Sequence, residues 1–193
     1  MQVDPLERVI RLLWMLVLTI WVASADSSGE PIASKTDRRS DAAVWVVSIA
    51  WVLLLLRRLY GPLLVPHIQS VRLIGFATTV VGLSFALWSR YYLGRNWDAF
   101  ITLKLNHKLV CTGPYSIVRH PFYAGFMLAS IGTAFTFGRL GPFIAAVLII
   151  AAWLYKSGLE EMFLMDHFGA VFTEFLFGDL LKVHNEPHFN LRL

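Results

Sequence analysis

A single cysteine, Cys111, among 193 residues excludes an internal disulfide and any cysteine-based metal site. Beside a turn it reads as a small buried hydrophobe. Charge is scarce too: 16% of the residues are Asp, Glu, Lys or Arg, against about 25% in an ordinary soluble domain. None of these charges falls in the middle of a long apolar run. Transporters and proton pumps use such a residue, so the sequence argues against that class. There is no basic run interleaved with aromatics, which removes nucleic acid as a partner. What remains is apolar: 56% of the chain is hydrophobic, against about 45 to 50% in soluble proteins. The length fits one domain, residues 1–193. The balance describes an all-α integral membrane helical bundle, in contact with membrane lipids and anchored by its aromatics at the interfaces.

The apolar runs predict about five transmembrane helices. The first covers Val9 to Ala25, with Arg11 near its start. Ala23-Ser24-Ala25 resembles a signal-peptidase site. Removing this helix would invert the orientation that the charges favour, so it is kept as a span. Asp26 to Asp41, with Gly29 and Pro31, reads as a solvated loop. Further runs cover Ala42 to Leu56, Leu73 to Trp88, Phe122 to Phe137, and Phe143 to Tyr155. The last is expected to continue as a polar helix to about Phe168 and to stop at Gly169. Gly61-Pro62 and Pro66 break the chain after the second run, and Gly138 to Pro142 make a turn. The uncharged runs are about 13 to 17 residues, and flanking basic side chains lengthen them towards the roughly 20 that span a bilayer. Residues 1–91 thus supply three N-terminal spans, and 92–193 the part that carries chemistry.

Orientation follows the basic residues near the spans. Arg8, Arg57, Arg58, Arg72 and Arg139 lie on the face of the N-terminus. Lys35, Arg38, Arg39, Arg90, Arg95, Lys104, Lys108, Arg119, Lys156, Lys182 and Arg192 lie on the other. Five against eleven makes the second face cytoplasmic, with the 92–121 segment and the C-terminus on it and the N-terminus opposite.

The stretch His107 to Gly125 concentrates His, Lys, Tyr and Arg around a turn and a helix start. Gly113-Pro114 is the turn. Pro121 suits the first position of a helix, where a missing N–H costs nothing, and this places His120 at the N-cap with Arg119 just outside. A helix N-terminus beside a cation favours a carboxylate or phosphate. On the last helix Trp153, Lys156 and Glu160 recur at spacings of three and four and share a face. Glu161 lies about 100° away, so only one of the paired carboxylates need face inward. A short connection makes the last two helices antiparallel neighbours. The Arg119–Pro121 end and the Lys156–Glu160 end then meet at one membrane face. Together they offer an anion site and a carboxylate for an ammonium, the two ends of a free amino-acid group. Taken singly, His107 reads as a loop histidine, Arg119 as a snorkelling residue, and Tyr115 and Tyr123 as interface aromatics; the joint pattern carries the functional reading. His184 and His188 are rejected as a metal pair, since Pro187 lies between them and no third ligand is near.

His107-Lys108-Leu109-Val110, Gly113-Pro114-Tyr115, Arg119-His120-Pro121-Phe122-Tyr123, Glu160-Glu161 and Phe168-Gly169 recur in an order and at spacings that resemble the isoprenylcysteine carboxyl methyltransferase family. The resemblance covers about Leu93 to Phe177 and includes Gly94-Arg95-Asn96-Trp97. In weaker form it extends to phospholipid N-methyltransferases and membrane sterol reductases. It implies S-adenosylmethionine as methyl donor, leaving as S-adenosylhomocysteine, with no metal. It implies a cytoplasmic cofactor pocket formed by the 92–121 segment and the C-terminal helix. His107, Lys108, Leu109 and Val110 would line the adenosine, with Tyr115 helping, and His120, Pro121, Phe122, Tyr123 and Glu160 would hold the rest. Arg119 and Lys156 would act on the reacting groups. The family has an arginine four positions before the glutamate, where this chain has Lys156, a point charge without a planar fork. The implied acceptor is a lipophilic or prenylated acid entering from the bilayer. Three alternatives stand beside it: an amine headgroup as acceptor, a nicotinamide-dependent membrane reductase, and a non-catalytic membrane protein.

Overall fold

The computed structural model describes residues 4–23, 31–34, 38–94, 102–104 and 112–177. Five helices account for most of them: α1 (Pro5–Ala23), α2 (Arg38–Leu55), α3 (Gln69–Leu93), α4 (Pro121–Phe137) and α5 (Leu140–Phe177). Two short strands, β1 (Pro31–Ser34) and β2 (Thr102–Lys104), pair antiparallel. They tie the connection after α1 to the connection after α3, a pairing that the polar composition of both segments conceals. At the other end of the bundle the 57–68 connection docks on the α4–α5 turn. There Leu64 N–H and Val65 N–H donate to the Gly138 carbonyl at 2.8 and 3.0 Å, and Gly141 N–H donates to the Tyr60 carbonyl at 2.8 Å.

Gly169 does not stop α5, which runs on to Phe177. A glycine inside a helix costs only about 1 kcal/mol relative to alanine, and the helical residues on either side outweigh it. Arg72, counted above among the basic residues of the N-terminal face, belongs to the first turn of α3 and is buried. Five helices are found where five spans are expected. Of these, α3 and the Leu140–Phe163 part of α5 are long and apolar enough to cross a membrane, while the apolar stretches Ala42–Leu55 and Pro121–Phe137 are shorter. The outward faces carry exposed apolar residues, Leu12, Met15 and Leu16 on α1, Trp45 and Ile49 on α2, and Ile74 and Val81 on α3. A helix facing water would be polar there.

Packing centres on two features. Phe126 of α4 is fully buried and meets Trp14 of α1 at 5.6 Å, Trp51 of α2 at 5.7 Å and Trp153 of α5 at 6.3 Å between ring centroids. On its other side α4 runs against α3 along a seam of small residues. Gly75, Thr79, Gly82 and Ala86 face Gly125, Ala129, Gly132 and Thr136, with Gly75 opposite Gly132 and Ala86 opposite Gly125, so the two helices are antiparallel. The 4-3-4 spacing on each is the 3.5-residue period of helices that stay in register, and small residues let the backbones approach. Thr79 and Thr133 share a hydrogen bond of 3.2 Å, and the Trp14 indole N–H donates to Thr133 Oγ1 at 3.0 Å. The seam fixes where the N-terminus of α4 lies.

The opposite end is fastened by Asp4. As N-cap of α1, ahead of Pro5, its Oδ1 accepts from Leu6 N–H at 2.9 Å. The same carboxylate meets Arg72 of α3 at 2.6 Å. Arg72, followed by the Leu6 and Glu7 N–H groups, holds the Asp4 carboxyl below its usual range against the opposing effect of burial. A carboxylate with a depressed folded pKa contributes stability that is present above the unfolded value, about 3.9, and lost as the pH falls through the folded one. Asp4→Asn should therefore unfold more easily than the parent at neutral pH. The gap in thermal midpoint between the two should close on acidification below the ordinary aspartate range.

Candidate active site

The connection into α4 ends in a 3-10 turn, Gly113–Ser116, and Gly113 has a φ of +62°. A side chain there would be strained and would collide with the Tyr92 ring. The Ser116 hydroxyl closes the turn on the Gly113 carbonyl at 2.7 Å. Tyr115 is thereby set between α3 and α5. Burial first, and the negative charge of Glu160 second, push its phenol above the usual range, while Arg90 of α3 works the other way.

His120 is the N-cap of α4 and Pro121 its first residue, as expected. The imidazole makes no capping bond. It reaches across to α5 instead, with Nε2 3.2 Å from Glu161 Oε1 and Nδ1 3.6 Å from Glu160 Oε2. The Tyr123 hydroxyl, one turn on, donates to Glu160 Oε1. Arg119, 45% exposed, lies 3.9 Å from Glu161. Three rings stand parallel behind these groups: His120 and Tyr123 at 5.5 Å and 9°, Tyr123 and Trp153 at 4.4 Å and 12°. Lys156, on the same face of α5 as Trp153 and Glu160, is 1% exposed.

Tyr115, His120, Tyr123, Glu160 and Lys156 are thus brought to one end of the bundle, with Arg119 at the rim. Pro121 is buried beneath them. Phe122 points into the aromatic core, edge-on to Phe126 at 4.8 Å and to Trp153 at 6.4 Å. Two participants escaped the sequence reading. Glu161 also turns inward, because His120 sits between the adjacent carboxylates and meets one with each ring nitrogen. Trp153, named above only for its position on the face, is the ring against which Tyr123 is stacked. His107, Lys108, Leu109 and Val110 lie outside the described residues, as do Arg95-Asn96-Trp97, Cys111, His184 and His188. Among the described residues there is no group of three or more His, Cys, Asp or Glu able to hold a metal ion.

The charges make a complementary set: Arg119 and Lys156 against Glu160 and Glu161, with His120 between. Such a set suits a zwitterion, with the glutamates available to an ammonium and the cations with the α4 N-terminus to a carboxylate. The family model described as phospholipid methyltransferase matches residues 71–171, which hold α4, its seam with α3 and all of these side chains. The chain belongs to that family. It is 32% identical over 87 residues to protein-S-isoprenylcysteine O-methyltransferase B of Arabidopsis thaliana, a match covering 42% of this chain and 43% of that protein. It is 27% identical over 139 residues to the probable protein-S-isoprenylcysteine O-methyltransferase of Oryza sativa subsp. indica, covering 68% and 70%. It is 37% identical over 73 residues to protein-S-isoprenylcysteine O-methyltransferase of Saccharomyces cerevisiae, covering 36% and 30%. These relatives bear out the resemblance to the isoprenylcysteine methyltransferases, and each is named a methyltransferase. The chain spans less than half the length of the Arabidopsis protein.

Proposed function

We propose that this phospholipid methyltransferase family member transfers the methyl group of S-adenosylmethionine to the carboxylate of a lipophilic acceptor, a prenylated cysteine or a similar lipid thioether acid. The observation that carries the reading is the Glu160 carboxylate, held by Tyr123 and faced by His120 at the start of α4. The chemistry of the cluster fits the donor. Glu160 would take the ammonium of the amino-acid group, and Arg119 with the α4 N-terminus would take its carboxylate. Tyr115 would lie beside the sulfonium, where cation–π attraction contributes on the order of 1 kcal/mol. His107 to Val110 would line the adenosine, with Pro121 and Phe122 supporting the start of α4 from below. When bound, S-adenosylmethionine supplies an electrophilic methyl group on a positively charged sulfur.

The chain's own residues then have little chemistry to perform. A carboxylate acceptor is anionic near neutral pH, so no general base is needed. Lys156 would orient the acceptor, and alignment alone can contribute up to about 7 to 11 kcal/mol. The aromatic core below the site would keep water out. An amine headgroup, the reading favoured by the family's description, must first lose a proton, and His120, His107 or Glu161 would have to accept it. All five helices would span the bilayer, with the site and C-terminus cytoplasmic and the N-terminus opposite, following the basic residues. The acceptor would enter from the bilayer between helices and the cofactor from the cytosol.

Calorimetric titration of detergent-purified protein with S-adenosylhomocysteine, with NADPH as control, tests the reading. Saturable binding of the former alone is expected. Binding of NADPH instead, or of neither, overturns it.

A further inference from the structure

Buried donors normally have partners, and an unsatisfied one calls for a reason. Trp153 is 2% exposed, and its indole N–H has no hydrogen-bond partner among the described residues. Its position gives the orphan donor a place in the site. The ring stacks on Tyr123, whose hydroxyl holds Glu160, and Lys156 follows one turn later on the same face of α5. The Trp51 N–H also has no partner among the described residues. However, that ring packs on Trp14, Trp21 and Phe126 in the core, not on the site residues.

We propose that the Trp153 N–H is an acceptor-binding donor: together with the buried Lys156 ammonium it receives an oxygen of the acceptor's carboxylate. The inference rests on the methyl-transfer reading and narrows it. A neutral N–H donor on the same helix face as a buried cation one turn away suits an anionic oxygen and rejects an ammonium, so the pair selects acids over amine headgroups. The donor lies on the apolar side of Glu160, seven residues earlier in the helix. That is where the polar end of a lipid acid arriving from the bilayer would meet the cofactor site.

Trp153→Phe keeps an aromatic ring against Tyr123 and removes the N–H together with part of the indole, so a modest fall in thermal midpoint is expected from the smaller ring alone. Because the donor bonds no group among the described residues, the affinity for S-adenosylhomocysteine should stay near wild type. The KM for N-acetyl-S-farnesyl-L-cysteine should rise about tenfold, the equivalent of one hydrogen bond to a charged oxygen, with a much smaller change in kcat. The corresponding carboxamide, as an inhibitor, should be less handicapped against the acid in the variant, with the remainder of its disadvantage set by Lys156. An unchanged KM overturns the proposal. So does a fall in midpoint together with S-adenosylhomocysteine affinity, which would mark a structural tryptophan. Methylation of phosphatidylethanolamine vesicles, or of neither probe, by protein that still binds S-adenosylhomocysteine overturns it while leaving the donor site standing. Failure of wild-type protein to bind S-adenosylhomocysteine instead removes the reading beneath it.

Discussion

Glu160→Gln should weaken S-adenosylhomocysteine binding by one to two orders of magnitude without unfolding the protein. A hydrogen bond to a charged group is worth about 1.5 to 3 kcal/mol, which is roughly ten- to a hundredfold in affinity. The glutamine keeps an oxygen for the Tyr123 hydroxyl, so the ring stack with Trp153 should survive. What disappears is the negative charge, and with it the attraction for an ammonium. Glu161→Gln should cost less. Glu161 is the more exposed carboxylate and faces Arg119 at 3.9 Å, a pair that water and salt screen. Isothermal titration of both variants beside wild type would separate the two. Equal losses would mean that the carboxylates act only through His120, and no loss in Glu160→Gln would remove it from the cofactor site.

This contrast is also a measure of what the sequence made legible. Pro121 immediately ahead of an apolar run marks a helix start, because within a helix only the first turn tolerates a residue without an N–H. Trp153, Lys156 and Glu160 share a face by helical geometry alone. The inward turn of Glu161 was not legible, since it depends on where α4 places the His120 ring between two adjacent side chains. The β1–β2 pairing was hidden for a similar reason: three or four residues in polar connections carry no periodicity, and only the bundle brings them together. The run of Gly75, Thr79, Gly82 and Ala86 was visible in the sequence. Hydropathy, in which glycine and alanine are nearly silent, does not mark it as a packing seam.

That seam should be the most sensitive part of the fold. A Cβ on Gly132 would stand 2.5 Å from the Gly75 carbonyl oxygen and 2.6 Å from the Thr79 nitrogen, both backbone atoms of a neighbouring helix. Neither can rotate away, so α3 and α4 must separate. Overpacking of this kind costs about 1 to 3 kcal/mol for a methyl group. The Thr79–Thr133 and Trp14–Thr133 hydrogen bonds lie one residue along and would stretch with it, at roughly 1 kcal/mol each. Gly132→Val should therefore lower the resistance of the detergent-solubilised protein to unfolding by more than any single change at the site. Gly158→Ala provides the control, because a Cβ there meets nothing within 4 Å. Its expected effect is a slight stabilisation from better helix propensity. The seam also sets the register of α4, and a displacement at Gly132 is carried along a stiff helix to His120 and Tyr123. Gly132→Val protein that remains folded should then bind S-adenosylhomocysteine more weakly although Gly132 lies more than two turns from any of the site residues. Unfolding resistance equal to that of Gly158→Ala would mean that the helices are not in the contact described.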